Sequence, residues 1–292
     1  MSGKILPKID IHSHISPEPL VFRENGLTFC TPRQLRAVYD NLNVEKALLL
    51  PPPKELSARE ARDTVRDNPD TFGWWFCNFD PVTEINDPEA DLSAELLAYK
   101  KAGAKGIGEV VWNRYFDDPY ILNMFHYAEI CEMPVTFHIG KEGKDYGLID
   151  ELGLPRLEKV LGMFPKLRFL GHSQKFWAEI GLCDEKSRGG YPTGKVVPGR
   201  VVELMRKYPN LCGDMSAESG ANAMVRDPEF AYEFMEEFQD RLFFGLDICS
   251  PTDAGIRVQL GEFLDDAMLK GKISYTAYEK ISRGNALDML EK

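Results

Sequence analysis

The sequence predicts an α/β fold, a single-domain (β/α)8 TIM barrel spanning residues 1–292. Three observations point there. Short β-branched or aromatic runs alternate eight times with helix-length segments. The length of 292 residues suits one barrel domain. Metal-competent side chains gather at the C-terminal ends of those runs, where such barrels keep their active sites. An open, doubly wound sheet is the competing arrangement of the same elements.

The expected strands are residues 7–14, 44–51, 71–80, 104–112, 133–140, 166–173, 210–216 and 241–248. Each is short, apolar and followed by loop residues, as buried parallel strands are. Helical patterns lie between them. The first, 31–42, opens with Thr31 as cap and Pro32 at the first helical position. Segments 57–68 and 87–103 follow, the latter stopped by Gly103. Further helices are expected over 118–132, 154–164, 198–208, 227–239, 253–269 and 274–292. Residues 174–199 form the longest connection without clear structure. Loops of that length are usually functional lids or disordered, and this one carries Gly189, Gly190, Gly194 and four cations. It is expected to close over an anionic substrate.

Composition removes several function classes. Hydrophobic residues make up 43% and charged ones 28%, as in an ordinary globular protein. A net charge of -11 without a block of Lys or Arg weighs against nucleic acid or an anionic membrane as partner. No run approaches a membrane span, and the opening "MSGKILPKID" has too short an apolar stretch for a secretory signal. The six scattered cysteines read as reduced, cytoplasmic thiols. Cys30, next to Thr31 and Pro32, is expected to pack or lie at the surface rather than react.

The chemistry begins at "KIDIHSHISP", where Asp10, His12 and His14 alternate. Alternate strand positions face the same way, so both imidazoles aim at one point. Glu109 ends the fourth run, His138 the fifth, His172 the sixth and Asp247 the eighth, so four of the five histidines sit at strand ends. The fifth, His126, falls inside a helix and suits packing or the surface. Taken singly, each could be a hydrogen-bonded core group. Six together at matching ends of one sheet point to a metal. Imidazole and carboxylate suit zinc first, with manganese or iron as alternatives. Asp10, two positions deeper, is expected to support the histidines.

The motifs "DIHSH", "TFHIG", "LGHS" and "FGLD", with the closing "ISRGNALDML", resemble the amidohydrolase superfamily, and most closely its amidohydrolase-related (amidohydrolase 2) branch. The match runs in register along the whole chain. The resemblance implies that His12, His14 and His138 are metal ligands. It makes Asp247 the residue that touches the metal and takes the proton of the attacking water, and His172 a second-metal ligand or substrate polariser. Glu109 stands where binuclear relatives place a bridging lysine carbamate or glutamate, so one or two ions are both implied.

A divalent ion would acidify water and polarise a carbonyl or phosphoryl oxygen. Hydrolysis of an ester, lactone or amide of a small, anionic substrate is the expected reaction. The resemblance also covers non-oxidative decarboxylases of aromatic or unsaturated acids, which often carry an acidic residue in place of one first-strand histidine; "HSH" leans towards hydrolysis. A TatD-like phosphodiesterase is a third reading, and a metal-free binding barrel the non-enzyme one. A homo-oligomer is compatible with all of them.

Cations gather in the loops expected at the barrel mouth: Lys54, Arg114, Lys141, Lys144, Lys175, Lys186, Arg188 and Lys195. Most are expected to be solvated, while Arg114 and Lys175, near Glu109 and His172, are the candidates to grip a substrate carboxylate. Trp112, Phe176 and Trp177 could flank an organic substrate or pack on the barrel rim.

Overall fold

The computed structural model describes residues 3–21, 26–52, 56–143, 146–253 and 255–292. Eight parallel strands follow one another in sheet order. They are β1 (Lys8–Ser13), β2 (Val44–Leu49), β3 (Phe72–Cys77), β4 (Ala104–Val110), β5 (Val135–His138), β6 (Phe169–His172), β7 (Leu211–Asp214) and β8 (Leu242–Phe243). Each lies inside its expected run. The residues after β8 return to β1: Ile11 N–H donates to Phe244 O at 3.1 Å and Asp247 N–H to His12 O at 2.9 Å. Ser13 also bridges Ile248 in parallel. Sequential order with that return is a (β/α)8 barrel and excludes the doubly wound sheet, in which strand order reverses.

The helices are α1 (Pro32–Leu42), α2 (Ala58–Asp67), α3 (Pro81–Glu84), α4 (Ser93–Lys101), α5 (Pro119–Ile130), α6 (Pro155–Met163), α7 (Gln174–Ala178), α8 (Glu185–Arg188), α9 (Arg200–Lys207), α10 (Ala217–Val225), α11 (Pro228–Glu237), α12 (Leu260–Leu269), α13 (Tyr275–Glu279) and α14 (Asn285–Leu290). Thr31 with Gln34, and Ser57 with Glu60, form reciprocal caps that start α1 and α2. Among the described residues no helix is long and apolar enough to cross a membrane.

Local chemistry explains where the elements depart from expectation. The helix expected over 87–103 starts only at Ser93, because Asp87 and Asp91 accept from the backbone N–H of Glu89 and Ser93 and hold turns there. The helix expected over 253–269 opens with one tight 3-10 turn, Ile256–Gln259. The closing helix is broken by a π turn, Lys280–Gly284, where Ile281 O accepts from Phe244 N–H at 3.0 Å. Helix α10, which carries Gly220 and no strong periodicity, was not expected.

Segment 174–199 is built rather than loose. It contains α7 and α8, and Gly181 bridges Pro198. Phe176 and Trp177 are buried, and Arg188, only 1% exposed, donates to Glu179 Oε1 at 2.5 Å and to Asp150 O at 2.8 Å. A buried ion pair thus pins part of the segment expected to close over a substrate.

By its contacts the chain divides into two compact units. One comprises Met1–Trp75, Thr193–Val196 and Gly213–Lys292. Its core holds Ile9, Ile11, Leu48, Phe244 and Leu264. At the N-terminal end of β1, buried Lys8 binds both oxygens of Asp265, at 2.7 and 2.9 Å. The other comprises Phe76–Pro192 and Val197–Cys212. Aromatic edge-to-face contacts knit its core: Phe116 on Phe137, Phe125 on Phe169 and Phe137 on Phe176, with ring centres 5.1, 5.1 and 5.8 Å apart.

Candidate metal centre

In the first unit β1 turns His12 and His14 towards each other. His12 Nδ1 lies 2.6 Å from Asp214 Oδ2, and His14 Nδ1 lies 2.8 Å from Leu50 O. Both partners are acceptors, so each ring carries its hydrogen on Nδ1. The two Nε2 atoms face one another 3.0 Å apart. Asp247 Oδ1 faces the same place, 3.5 Å from His14 Nε2 and 3.8 Å from His12 Nε2. His14, Asp247 and Cys249 form one of the groups whose ligand atoms all lie within 4.8 Å of one another.

Asp247 stands four residues past the end of β8, not on the strand as expected. Its backbone is left-handed, with φ 54°, an unfavourable state for a residue with a Cβ. Two hydrogen bonds hold it there: its N–H donates to His12 O, and Arg257 Nη1 donates to its carbonyl at 2.6 Å.

Asp10 does not touch the imidazoles. Its Oδ1 accepts from the backbone N–H of His12 and Leu246, at 2.9 and 3.0 Å, and its Oδ2 from the Tyr39 hydroxyl at 2.6 Å. Burial pushes its carboxyl up to about 7 despite these donors. It braces the strand, while the ring of His12 is oriented by Asp214, a residue the sequence reading missed. The only signal for Asp214 was its place at the end of the seventh run, in "LCGDMS".

In the second unit the strand register sets His138 on β5 directly beside His172 on β6. Their ring centres are 5.4 Å apart. Glu109 on β4 joins them, with Oε1 2.9 Å from His138 Nδ1 and 3.8 Å from His172 Nε2. These three also form a group with ligand atoms within 4.8 Å, all of it buried. The chain passes close by: a Cβ on Gly147, at φ 104°, would stand 2.5 Å from Gly140 N and 2.9 Å from His138 Cδ2. Only glycine fits there. The carbonyl of His138 accepts from Leu148 N–H at 2.7 Å, which fixes the strand end.

The expected substrate-contacting groups divide. Trp112 and Arg114 line a cleft of about 590 Å³, with Asp80, Asn113, Tyr115 and Asp118. Within it Arg114 donates to Asp118 Oδ2 at 2.9 Å and lies over the Tyr120 ring, while Trp112 Nε1 donates to Phe79 O. Lys175 donates to Gly140 O at 2.6 Å, so its ammonium braces the loop after β5. Lys195 pairs with Asp227 and Arg188 with Glu179. Lys141 and Lys186 are exposed. Lys54 and Lys144 lie outside the described residues. Phe176 and Trp177 are core residues, Cys30 is fully buried, and His126 is exposed. Each of the six cysteines carries a thiol rather than a disulfide.

No family model matches the chain, and no curated protein matches it in sequence. Solved structures do match along its length. An amidohydrolase from Burkholderia multivorans with bound HEPES is 11% identical, with 97% of this chain and 99% of that chain covered and a TM-score of 0.61. The two chains share a fold. A 5-carboxyvanillate decarboxylase from Novosphingobium aromaticivorans, complexed with manganese and a nitrobenzoic acid, is 15% identical over 98% and 96% of the two chains, with a TM-score of 0.60. A probable 2-pyrone-4,6-dicarboxylic acid hydrolase from Acinetobacter baumannii with bound citric acid is 12% identical over 98% and 100%, with a TM-score of 0.59. Hydrolases and decarboxylases thus share this backbone.

Proposed function

We propose that this chain is a metal-dependent enzyme of the amidohydrolase superfamily and its amidohydrolase-related branch. In this reading His12, His14, Glu109, His138, His172 and Asp247 are the ligand set, for one or two divalent ions, with zinc preferred. One observation carries it: the Nε2 atoms of His12 and His14 meet at 3.0 Å while both Nδ1 hydrogens are committed to oxygen acceptors. The donor set of that unit, two imidazoles and a carboxylate, suits a divalent ion by type. The Glu109–His138–His172 group supplies the same chemistry, its two histidines from strands that the family motifs mark.

A bound ion would supply a Lewis acid that polarises a substrate oxygen and acidifies water. The protein's part is orientation and proton transfer. Asp214 keeps the His12 Nε2 lone pair available, and the carbonyl of Leu50 does so for His14. Asp247 accepts the water's proton and returns it to the leaving group. Arg114, in its cleft with Trp112, offers a planar cation for a substrate carboxylate. Hydrolysis of an ester, lactone or amide of a small anionic compound is the reading we favour, because the first strand keeps both histidines. Decarboxylation of an aromatic acid is the second reading, supported by the carboxyvanillate and dihydroxybenzoate decarboxylases among the structures of this fold.

The test is a screen of lactones, esters, amides and aromatic acids with the metal-loaded protein, following acid release and carbon dioxide separately. Elemental analysis accompanies it. Protein that retains no stoichiometric divalent ion under metal-buffered conditions would refute the proposal. Carbon dioxide release without hydrolysis would move it to the second reading.

A further inference from the structure

The sulfur of Cys249 has no place in the ligand set above, yet it lies beside it. Its Sγ is 3.4 Å from Asp247 Oδ1, the same oxygen that faces His14 Nε2 at 3.5 Å and His12 Nε2 at 3.8 Å. The ligand atoms of His14, Asp247 and Cys249 all fall within 4.8 Å of one another.

The backbone holds the sulfur in this position from both sides. Cys249 N–H donates to Asp253 Oδ2 at 2.7 Å, and Cys249 O accepts from Cys30 N–H at 2.6 Å. Arg257, which fixes the Asp247 carbonyl, anchors the same turn and is itself held by Glu218 at 3.2 Å. A side chain placed this firmly next to ligand atoms is preorganised for binding rather than swept in by chance. The fully buried thiols, Cys30 and Cys77, belong to no such group among the described residues.

We propose that Cys249 is a metal ligand, so that the first-unit site is a nitrogen, oxygen and sulfur set built from His12, His14, Asp247 and Cys249. The inference rests on the metal reading above and deepens it. On binding, the thiol proton leaves to solvent as sulfur takes up the ion. Sulfur is a soft ligand and favours zinc or cobalt over manganese and magnesium, which prefer oxygen. The site would therefore favour zinc over manganese more strongly than a pure imidazole and carboxylate set does.

The test uses the full chain, stripped with a chelator and reloaded with cobalt(II). Wild-type protein is expected to show a near-ultraviolet sulfur-to-cobalt charge-transfer band at stoichiometric cobalt. Cys249→Ser should retain cobalt and lose the band. Serine keeps a hydrogen-bond donor for Asp247, so a merely positional role for Cys249 would survive this change. The preference for zinc over manganese, measured by competition, should fall roughly 10–100-fold in the variant, the scale of losing a supporting group at a metal site. Stoichiometric cobalt without the band in wild type, or a band and preference unchanged in Cys249→Ser, overturns the sulfur ligand and leaves the metal centre standing. Wild type that retains no cobalt overturns the metal centre and the ligand with it. The wild-type spectrum decides even if Cys249→Ser misfolds, which circular dichroism would reveal.

Discussion

Replacing Asp214 by asparagine changes one oxygen to an amino group at the point where His12 is oriented. In a fully buried place its Oδ2 lies 2.6 Å from His12 Nδ1, and its Oδ1 accepts from the N–H of Ser216 at 3.0 Å. Both partners donate, whereas an amide has one acceptor. If the amide oxygen stays with Ser216, its NH2 faces His12 Nδ1 and pushes the ring hydrogen to Nε2. That nitrogen then cannot bind a cation, and metal affinity should drop about 10–100-fold, or about 1.4–2.7 kcal/mol. If the oxygen turns to His12 instead, the Ser216 N–H loses its acceptor in a dry site, which costs the apo fold about 1–3 kcal/mol. Calorimetric zinc titration of the apo protein reads the first loss, and urea unfolding of the apo protein reads the second. Asp214→Asn with wild-type zinc affinity and wild-type apo stability would refute the argument that Asp214 sets the tautomer.

Asp247→Asn should retain most of the bound metal and lose at least about 100-fold in turnover, because an amide cannot accept the water's proton; near-normal rates with metal confirmed would refute the general-base role. Arg188→Met should destabilise the fold by about 3–5 kcal/mol in urea unfolding, since it strands the buried Glu179 carboxylate, whose carboxyl burial already raises. Asp150 gives a pH signature. Burial raises its carboxyl to about 6 although it accepts from the first-turn N–H groups of Arg156 and Leu157. A group raised in the folded state contributes stability that is full below about 4 and lost as pH rises through about 6. The stability difference between wild type and Asp150→Asn should therefore fall by roughly 2 kcal/mol from pH 4 to 7 in denaturant titrations; a flat difference would refute the raised carboxyl.

The sequence by itself carried the barrel and the shared facing of His12 and His14, because both are written in local periodicity. Eight short apolar runs, alternating with capped helical segments, need no knowledge of distant contacts. Likewise the two-residue spacing of His12 and His14 puts both rings on one face of any strand. The β5–β6 register that pairs His138 with His172 was foreshadowed only by their shared position at run ends.

What the tertiary structure decided are the partners drawn from far along the chain. Asp214 is 202 residues from His12, and no spacing rule connects them. Asp10 looked like the support for the histidines because it shares their strand face. The buried Tyr39 hydroxyl and two backbone donors claimed it instead, since a buried carboxylate takes whatever donors the fold brings. The left-handed turn at Asp247 depends on His12 and Arg257, from opposite ends of the chain. Three of the four cations of the expected lid went to Glu179, Asp227 and the Gly140 carbonyl, all outside their own segment or across its turns. Periodicity tells which way a side chain faces; only the folded chain tells what it meets there.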